Sequence, residues 1–148
     1  MDVANATETQ LEADENLLMR ILIAEDHKVI RCGIRGILTR RPEWEICGEA
    51  VNGLEAVRLA KKLRPDIIIM DIGMPIMNGL EATRQVIKDD RDSKVLILTM
   101  HEAESLVETA RRVGACGYLV KSQAGGNLIK ALERVHSGGT FFGSIGTD

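Results

Sequence analysis

The sequence predicts an α/β protein built on a doubly wound, five-stranded parallel sheet covered on both faces by five helices. Three observations lead there. Apolar runs of strand length recur at residues 21–24, 67–70 and 95–98, and they are continuous rather than alternating, as strands buried on both faces require. Segments with a 3.6-residue apolar period separate them. Finally, 45% of the 148 residues are hydrophobic but only 3% are aromatic, which suits an aliphatic sheet under helices better than an aromatic-rich sandwich. The length allows one core and is short for two.

The elements follow in order. Residues 1–18 are polar and carry Asp2, Glu8, Glu12, Asp14 and Glu15 without a Lys or Arg, so they read as a flexible acidic leader, a capping helix over 11–18 being the lesser alternative. After the first strand, Ile30, Ile34, Ile37 and Leu38 share a helical face that stops before Pro42. In the next strand Trp44, Ile46, Gly48 and Ala50 alternate with Glu45, Cys47 and Glu49, a pattern that marks an edge strand with charges discouraging further pairing. Leu54, Val57, Ala60 and Leu63 define a second helix ending before Pro65, and Leu80, Thr83, Val86 and Ile87 a third. Leu106, Ala110 and Val113 line a fourth, closed by Gly114 as a C-terminal cap. Residues 117–120 form the fifth strand, and Leu128, Ala131, Leu132 and Val135 the last helix, ending at Gly138 and Gly139. The folded domain is thus expected over 19–138, with 139–148 starting a linker or tail. Alternating β and α units imply right-handed crossovers and a site at the carboxyl ends of the strands.

Composition narrows the function classes. The net charge of -3 is due to the leader; the remainder carries 19 basic against 17 acidic residues. It has no basic stripe with interleaved aromatics, so direct nucleic-acid contact is not expected. Cys32, Cys47 and Cys116 are odd in number and lack a Cys-x-x-Cys pair, which fits reduced, small buried residues. No apolar run approaches the roughly 18 residues of a membrane span and no signal segment opens the chain. These features predict a soluble cytoplasmic protein.

The strand ends carry the chemistry. Glu25 and Asp26 follow the first strand, Asp71 the third, Thr99 the fourth and Lys121 the fifth. Each has an ordinary explanation: Asp26 and Thr99 as helix caps, Asp71 as a turn residue, Lys121 as a solvated charge. Their convergence on one rim is harder to explain that way. Three clustered carboxylates require a cation, and hard oxygen ligands suit magnesium. Phosphoryl transfer needs this set, because an ionised Asp71 attacks phosphorus without a general base, Lys121 supplies a point charge and Thr99 a hydroxyl donor. His27, His101 and His136 lack zinc-site spacing, and His27 is expected at a helix start. His101 and Gly73 flank the site and are candidates for shaping water access to it.

On Glu25-Asp26, the stretch Asp71-Ile72-Gly73-Met74-Pro75 with Asn78-Gly79, then Thr99, Tyr118 and Lys121, the chain resembles the receiver domain of two-component response regulators over roughly 20–137. His27, the stretch Gly79-Leu80-Glu81-Ala82 and the ending Gly138-Gly139-Thr140-Phe141-Phe142 resemble the NarL/FixJ (LuxR-type) subfamily. The resemblance implies a flavodoxin-like strand order 2-1-3-4-5. It also implies phosphorylation of Asp71 by a sensor histidine kinase, with magnesium held by Asp26, Asp71 and the Gly73 backbone carbonyl and Glu25 acting through water. Thr99 and Tyr118 would then switch the surface of the fourth helix, fifth strand and fifth helix, with phosphorylation-dependent dimerisation implied. Many such domains have proline after the lysine; Ser122 stands there here, and a cis bond at that point would cost about 3 kcal/mol.

The resemblance leads one to expect transcriptional output through a DNA-binding domain absent from this chain. A stand-alone receiver working by protein contacts is the alternative. Aspartate-nucleophile phosphatases also pair a carboxylate with magnesium, but they place a second Asp two residues after the nucleophile, where this chain has Gly73. A signalling phosphoacceptor rather than an enzyme is therefore expected.

Overall fold

The computed structural model describes residues 18–100 and 102–142. The acidic leader, His101 and the last six residues, with the expectations attached to them, lie outside the described residues. Strands β1 (Met19–Ala24), β2 (Trp44–Ala50), β3 (Ile67–Asp71), β4 (Val95–Thr99), β5 (Gly117–Val120) and β6 (Phe141–Phe142) form one parallel sheet in the order β2-β1-β3-β4-β5-β6. Helices α1 (Lys28–Leu38), α2 (Gly53–Leu63), α3 (Gly79–Asp89), α4 (Glu104–Arg112) and α5 (Ala124–His136) connect them, α5 after a 3-10 turn at Lys121–Gln123.

The sheet divides the interior into two cores. Ile21, Ile23, Ile69, Leu98 and Leu119 meet Ile34 and Leu38 of α1 and Leu128, Leu132 and Val135 of α5. Leu22, Ile68, Met70, Ile97 and Tyr118 meet Ala56 of α2, Ala82 and Val86 of α3, and Ala110 of α4. Alternate residues of one strand therefore serve opposite cores, which is why β1, β3 and β4 are apolar throughout.

Two features differ from the sequence expectation. The sheet has a sixth strand, with Gly117 against Phe141 and Tyr118 against Phe142, so it runs past the boundary expected at residue 138. Two residues are too few to show a period. The single-face alternation expected of β2 is also broken. Ile21 pairs with Ile46 but Leu22 with Gly48, so Cys47 is an inserted bulge residue that reverses the facing of those after it. Trp44 and Ile46 consequently pack on the α1/α5 side, Cys47 and Ala50 on the other. β2 does sit at the edge of the sheet.

The first and fourth helices are capped by His27 and Ala103 rather than by Asp26 and Thr99. Asn52 and Asn78 accept backbone N–H groups at the starts of α2 and α3, and Gly114 takes φ +99° after α4. The described residues contain no cis peptide bond, Lys121–Ser122 included. No helix among them is long and apolar enough to cross a membrane.

Candidate functional site

Each strand of the central sheet delivers its last residues to one rim. β3 ends in Asp71 and β4 in Thr99, which are 4% and 6% exposed. Lys121 opens the turn that follows β5, and Glu25, Asp26 and His27 fill the connection from β1 to α1. That connection is anchored from two sides. The Glu25 N–H donates to the Ala50 carbonyl at 3.0 Å, and Arg31 Nη1 donates to the Glu25 carbonyl at 2.8 Å. The Arg31 guanidinium is itself held by Glu49 at 3.0 Å.

The loop after Asp71 is set by a close approach. A Cβ on Gly79 would lie 1.9 Å from the Asp71 carbonyl oxygen and 2.7 Å from its carbon, so only glycine lets α3 begin against the strand end. The Gly79 N–H donates to the Ile72 carbonyl at 2.9 Å, and Asn78 Oδ1 accepts from the Leu80 and Glu81 N–H groups. Gly73 occupies an open part of this turn, with nothing within 4 Å of an added Cβ. Ile76, exposed in the same turn, takes φ +71°, an unfavourable conformation for a β-branched residue.

Lys121 is the electrostatic centre. Its Nζ lies 2.7 Å from Glu25 Oε1 and 3.0 Å from Asp71 Oδ1, with the lysine side chain 10% exposed. Burial alone would push the Glu25 carboxyl up, but contacts from Lys121 and His27 outweigh it and hold Glu25 below its ordinary range. Asp71 moves the other way: burial pushes it up, and the Glu25 charge adds to the rise, while Lys121 offsets only part. Burial would lower Lys121, yet the two carboxylates raise it. The lysine bridges the two carboxylates, Glu25 being held below its ordinary range and Asp71 above it.

His27 joins the cluster. Its Nδ1 lies 3.0 Å from Glu25 Oε2 and 3.2 Å from Asp26 Oδ1, and its backbone N–H donates to Glu25 Oε2 at 3.0 Å. One ligand atom from each of Glu25, Asp26, His27 and Asp71 falls within 4.8 Å of the others. Glu25 Oε1 is taken by Lys121, whereas the buried Asp26 Oδ1 has no hydrogen bond. Three carboxylates sharing one lysine, with an unsatisfied buried Asp26 oxygen beside Asp71, fit a hard divalent cation such as magnesium.

A second chain of contacts leaves the rim. Tyr118 is 1% exposed; burial raises its phenol pKa, against hydrogen bonds with the Ala103 backbone and the Thr99 side chain. Ala103 is the N-terminal cap residue of α4, so a hydroxyl at the site is one side chain from the start of a helix. On the same face, Phe142 of β6 lies under the Arg111 guanidinium of α4 at 3.9 Å.

The structure brings Glu25, Asp26, Asp71, Thr99 and Lys121 to one rim, with Gly73 in the adjoining turn and Tyr118 behind Thr99. Sequence spacing missed His27 as a neighbour of the carboxylates, because the turn of its ring back onto Glu25 and Asp26 is a matter of side-chain direction. Its position directly after the acidic pair was the available signal. The raised Asp71 pKa gives a stability prediction. Its ionised form is disfavoured in the folded chain, so Asp71→Asn should stabilise the metal-free protein at neutral pH. That gain should disappear as pH falls and Asp71 takes up its proton, which urea unfolding at several pH values will measure.

A flavodoxin-like parallel sheet with this rim has the architecture of a receiver domain. Residues 21–133 match the family described as response regulator receiver domain, and the chain belongs to that family. It is 42% identical over 130 residues to the transcriptional regulatory protein DegU of Brevibacillus brevis, a match covering 88% of this chain and 55% of that protein. It is 35% identical over 127 residues to the response regulator UvrY of Escherichia coli strain K12, covering 86% of this chain and 58% of UvrY. The chain thus spans little more than half the length of these relatives. Among solved structures, a LuxR-family two-component response regulator from Aurantimonas superposes with a TM-score of 0.81 at 35% identity, over 84% of this chain and 89% of that one.

Proposed function

We propose that this receiver takes a phosphoryl group on Asp71 from the phosphohistidine of a sensor histidine kinase, in a magnesium-dependent step, and that Thr99 and Tyr118 convert the new charge into a changed α4–β5–α5 surface. The observation that carries the reading is Lys121 Nζ set between Asp71 and Glu25 at 3.0 and 2.7 Å. Such a cation neutralises one anion too few, which leaves room for the charge of a metal.

Asp71 attacks through a carboxylate oxygen, forming the oxygen–phosphorus bond as the phosphorus–nitrogen bond of the donor breaks. The electron pair leaves on the imidazole nitrogen, which takes a proton. Asp71 is the carboxylate at the end of the central strand β3, beside Lys121, where an ionised oxygen can attack without a general base. Asp26, Asp71 and the Gly73 carbonyl would hold magnesium, with Glu25 behind them; the ion supplies charge to offset repulsion between carboxylate and phosphoryl oxygens. Lys121 stays within reach of a phosphoryl oxygen, and the Thr99 hydroxyl donates to another. In doing so Thr99 gives up its bond with Tyr118, which weakens the tie to Ala103 at the start of α4. A two-state helix position is then biased by a local charge.

The relatives named as transcriptional regulators support an output in transcription, through a DNA-binding module outside these 148 residues, with dimerisation on the altered surface as the means. The receiver chain itself does not contact nucleic acid in this reading, works in the cytoplasm, and releases its own phosphate slowly rather than turning over external substrates. Incubation with acetyl phosphate and magnesium tests it: intact-mass measurement should show one base-labile phosphoryl addition that is absent in Asp71→Asn and abolished by chelation. No addition, or one that persists in Asp71→Asn, would overturn the reading.

A further inference from the structure

We propose that Arg31 is a positioning residue for Asp26, acting through the backbone, and that the bulge in β2 carries Glu49 to the α1 side of the sheet to hold Arg31 in place. The inference rests on the magnesium reading above and adds to it two residues that lie behind the rim.

Both backbone groups of Glu25 are fixed. Its N–H donates to the Ala50 carbonyl at 3.0 Å, and its carbonyl accepts from Arg31 Nη1 at 2.8 Å. That carbonyl belongs to the planar peptide unit joining Glu25 to Asp26, so the guanidinium sets the direction from which the Asp26 side chain departs. Such control is needed there. Asp26 stands beside Glu25 and Asp71, and repulsion among the three would drive its carboxylate outward. Its buried Oδ1 has no hydrogen bond and approaches the exposed His27 ring at 3.2 Å. The backbone, more than a side-chain partner, keeps Asp26 turned inward.

Glu49 supplies the anchor. Its Oε1 accepts from Arg31 Nε at 3.0 Å, and its Oε2 pairs with Arg35, one turn further along α1. The Arg31 and Glu49 side chains are 16% and 30% exposed, so this is not an open surface bridge. With Nε bound to Glu49, the rigid fork of the guanidinium aims Nη1 at Glu25. Glu49 reaches α1 because Cys47 is an inserted residue. Regular alternation would put residue 49 on the face of Cys47, toward α2.

The test is calorimetric Mg2+ titration of the 148-residue chain and of Arg31→Ala, Glu49→Gln and Arg35→Ala, joined to the Mg2+ dependence of labelling by acetyl phosphate. Arg31→Ala should raise the Mg2+ Kd about tenfold and Glu49→Gln about threefold. Arg35→Ala removes a partner of Glu49 that does not bond Glu25, and should change the Kd by less than about twofold. In Arg31→Ala the labelling defect should lie in the half-saturating Mg2+ concentration rather than in the plateau, a split that general loosening of the fold would not produce. Should Arg31→Ala fail to fold, Glu49→Gln decides alone. An unchanged Kd in the folded variants, an equal rise in Arg35→Ala, or a defect confined to the plateau would overturn the proposal and leave the magnesium reading standing. If the unsubstituted chain binds no Mg2+, both fall.

Discussion

Gly79→Ala should lower folding stability by about 3 kcal/mol or more, seen as a fall in the urea midpoint at nearly constant slope. The added carbon would meet the Asp71 carbonyl oxygen at 1.9 Å, its carbon at 2.7 Å and the Ile72 Cα at 3.0 Å. All three are backbone atoms of a buried strand and its exit, so no side chain can rotate aside. Relief requires α3 to withdraw from β3, which would loosen Ala82 and Val86 against the core and move Asp71 itself. Gly36 in the interior of α1 offers the contrast, since an added Cβ there meets nothing within 4 Å. Gly36→Ala should stabilise by roughly 0.5–1 kcal/mol through helix propensity alone. Two identical substitutions of opposite sign separate close approach from conformational freedom.

Lys121→Met should cost about 3–5 kcal/mol at neutral pH in the metal-free protein, because it leaves buried Glu25 and Asp71 without their shared cation. The pH dependence should change sign with it. In the unsubstituted chain Glu25 has a depressed pKa, so its stabilising contribution is present above its ordinary value of 4.5 and is lost as pH falls. Asp71 has a raised pKa, so its contribution is present below its ordinary value of 3.8 and is lost as pH rises through the folded value. Without Lys121, burial dominates both carboxylates and both behave as Asp71 does. The variant should therefore gain stability relative to the parent as pH is lowered through the carboxylate range. Thermal unfolding from neutral pH down to about pH 4 will check this; a penalty that does not shrink on acidification would mean that the lysine's aliphatic packing, not its charge, matters there.

Much of the fold was readable in the chain because the two-sided burial of a parallel sheet leaves a strong signature. Residues 67–70 alternate between cores yet read as one apolar run, and the helix faces expected from periodicity meet the two cores except at Leu54, which is exposed while Ala56 is buried instead, and at Val113, which joins neither core. The rim residues were readable because polar groups interrupt those runs at one end only. What escaped the sequence has physical causes. The Cys47 bulge inverts facing without changing composition, so alternation before and after it looks continuous. Phe141 and Phe142 make a strand too short for any pattern. The partition of Lys121 between two carboxylates, and the turn of His27 toward them, depend on side-chain directions that residue spacing does not encode.

Helix α4 also bears on how a small event at the rim becomes a large one. It is nine residues long, and Ala110 is its one fully buried residue, whereas α5 buries five. A helix this short is marginal on its own, so its place depends on two fastenings: Tyr118 at its first turn and Arg111 over Phe142 near its last. Local opening there costs far less than global unfolding. The domain therefore has a soft element clamped at both ends against a stiff sheet, and releasing one clamp is enough to let it pivot about the other.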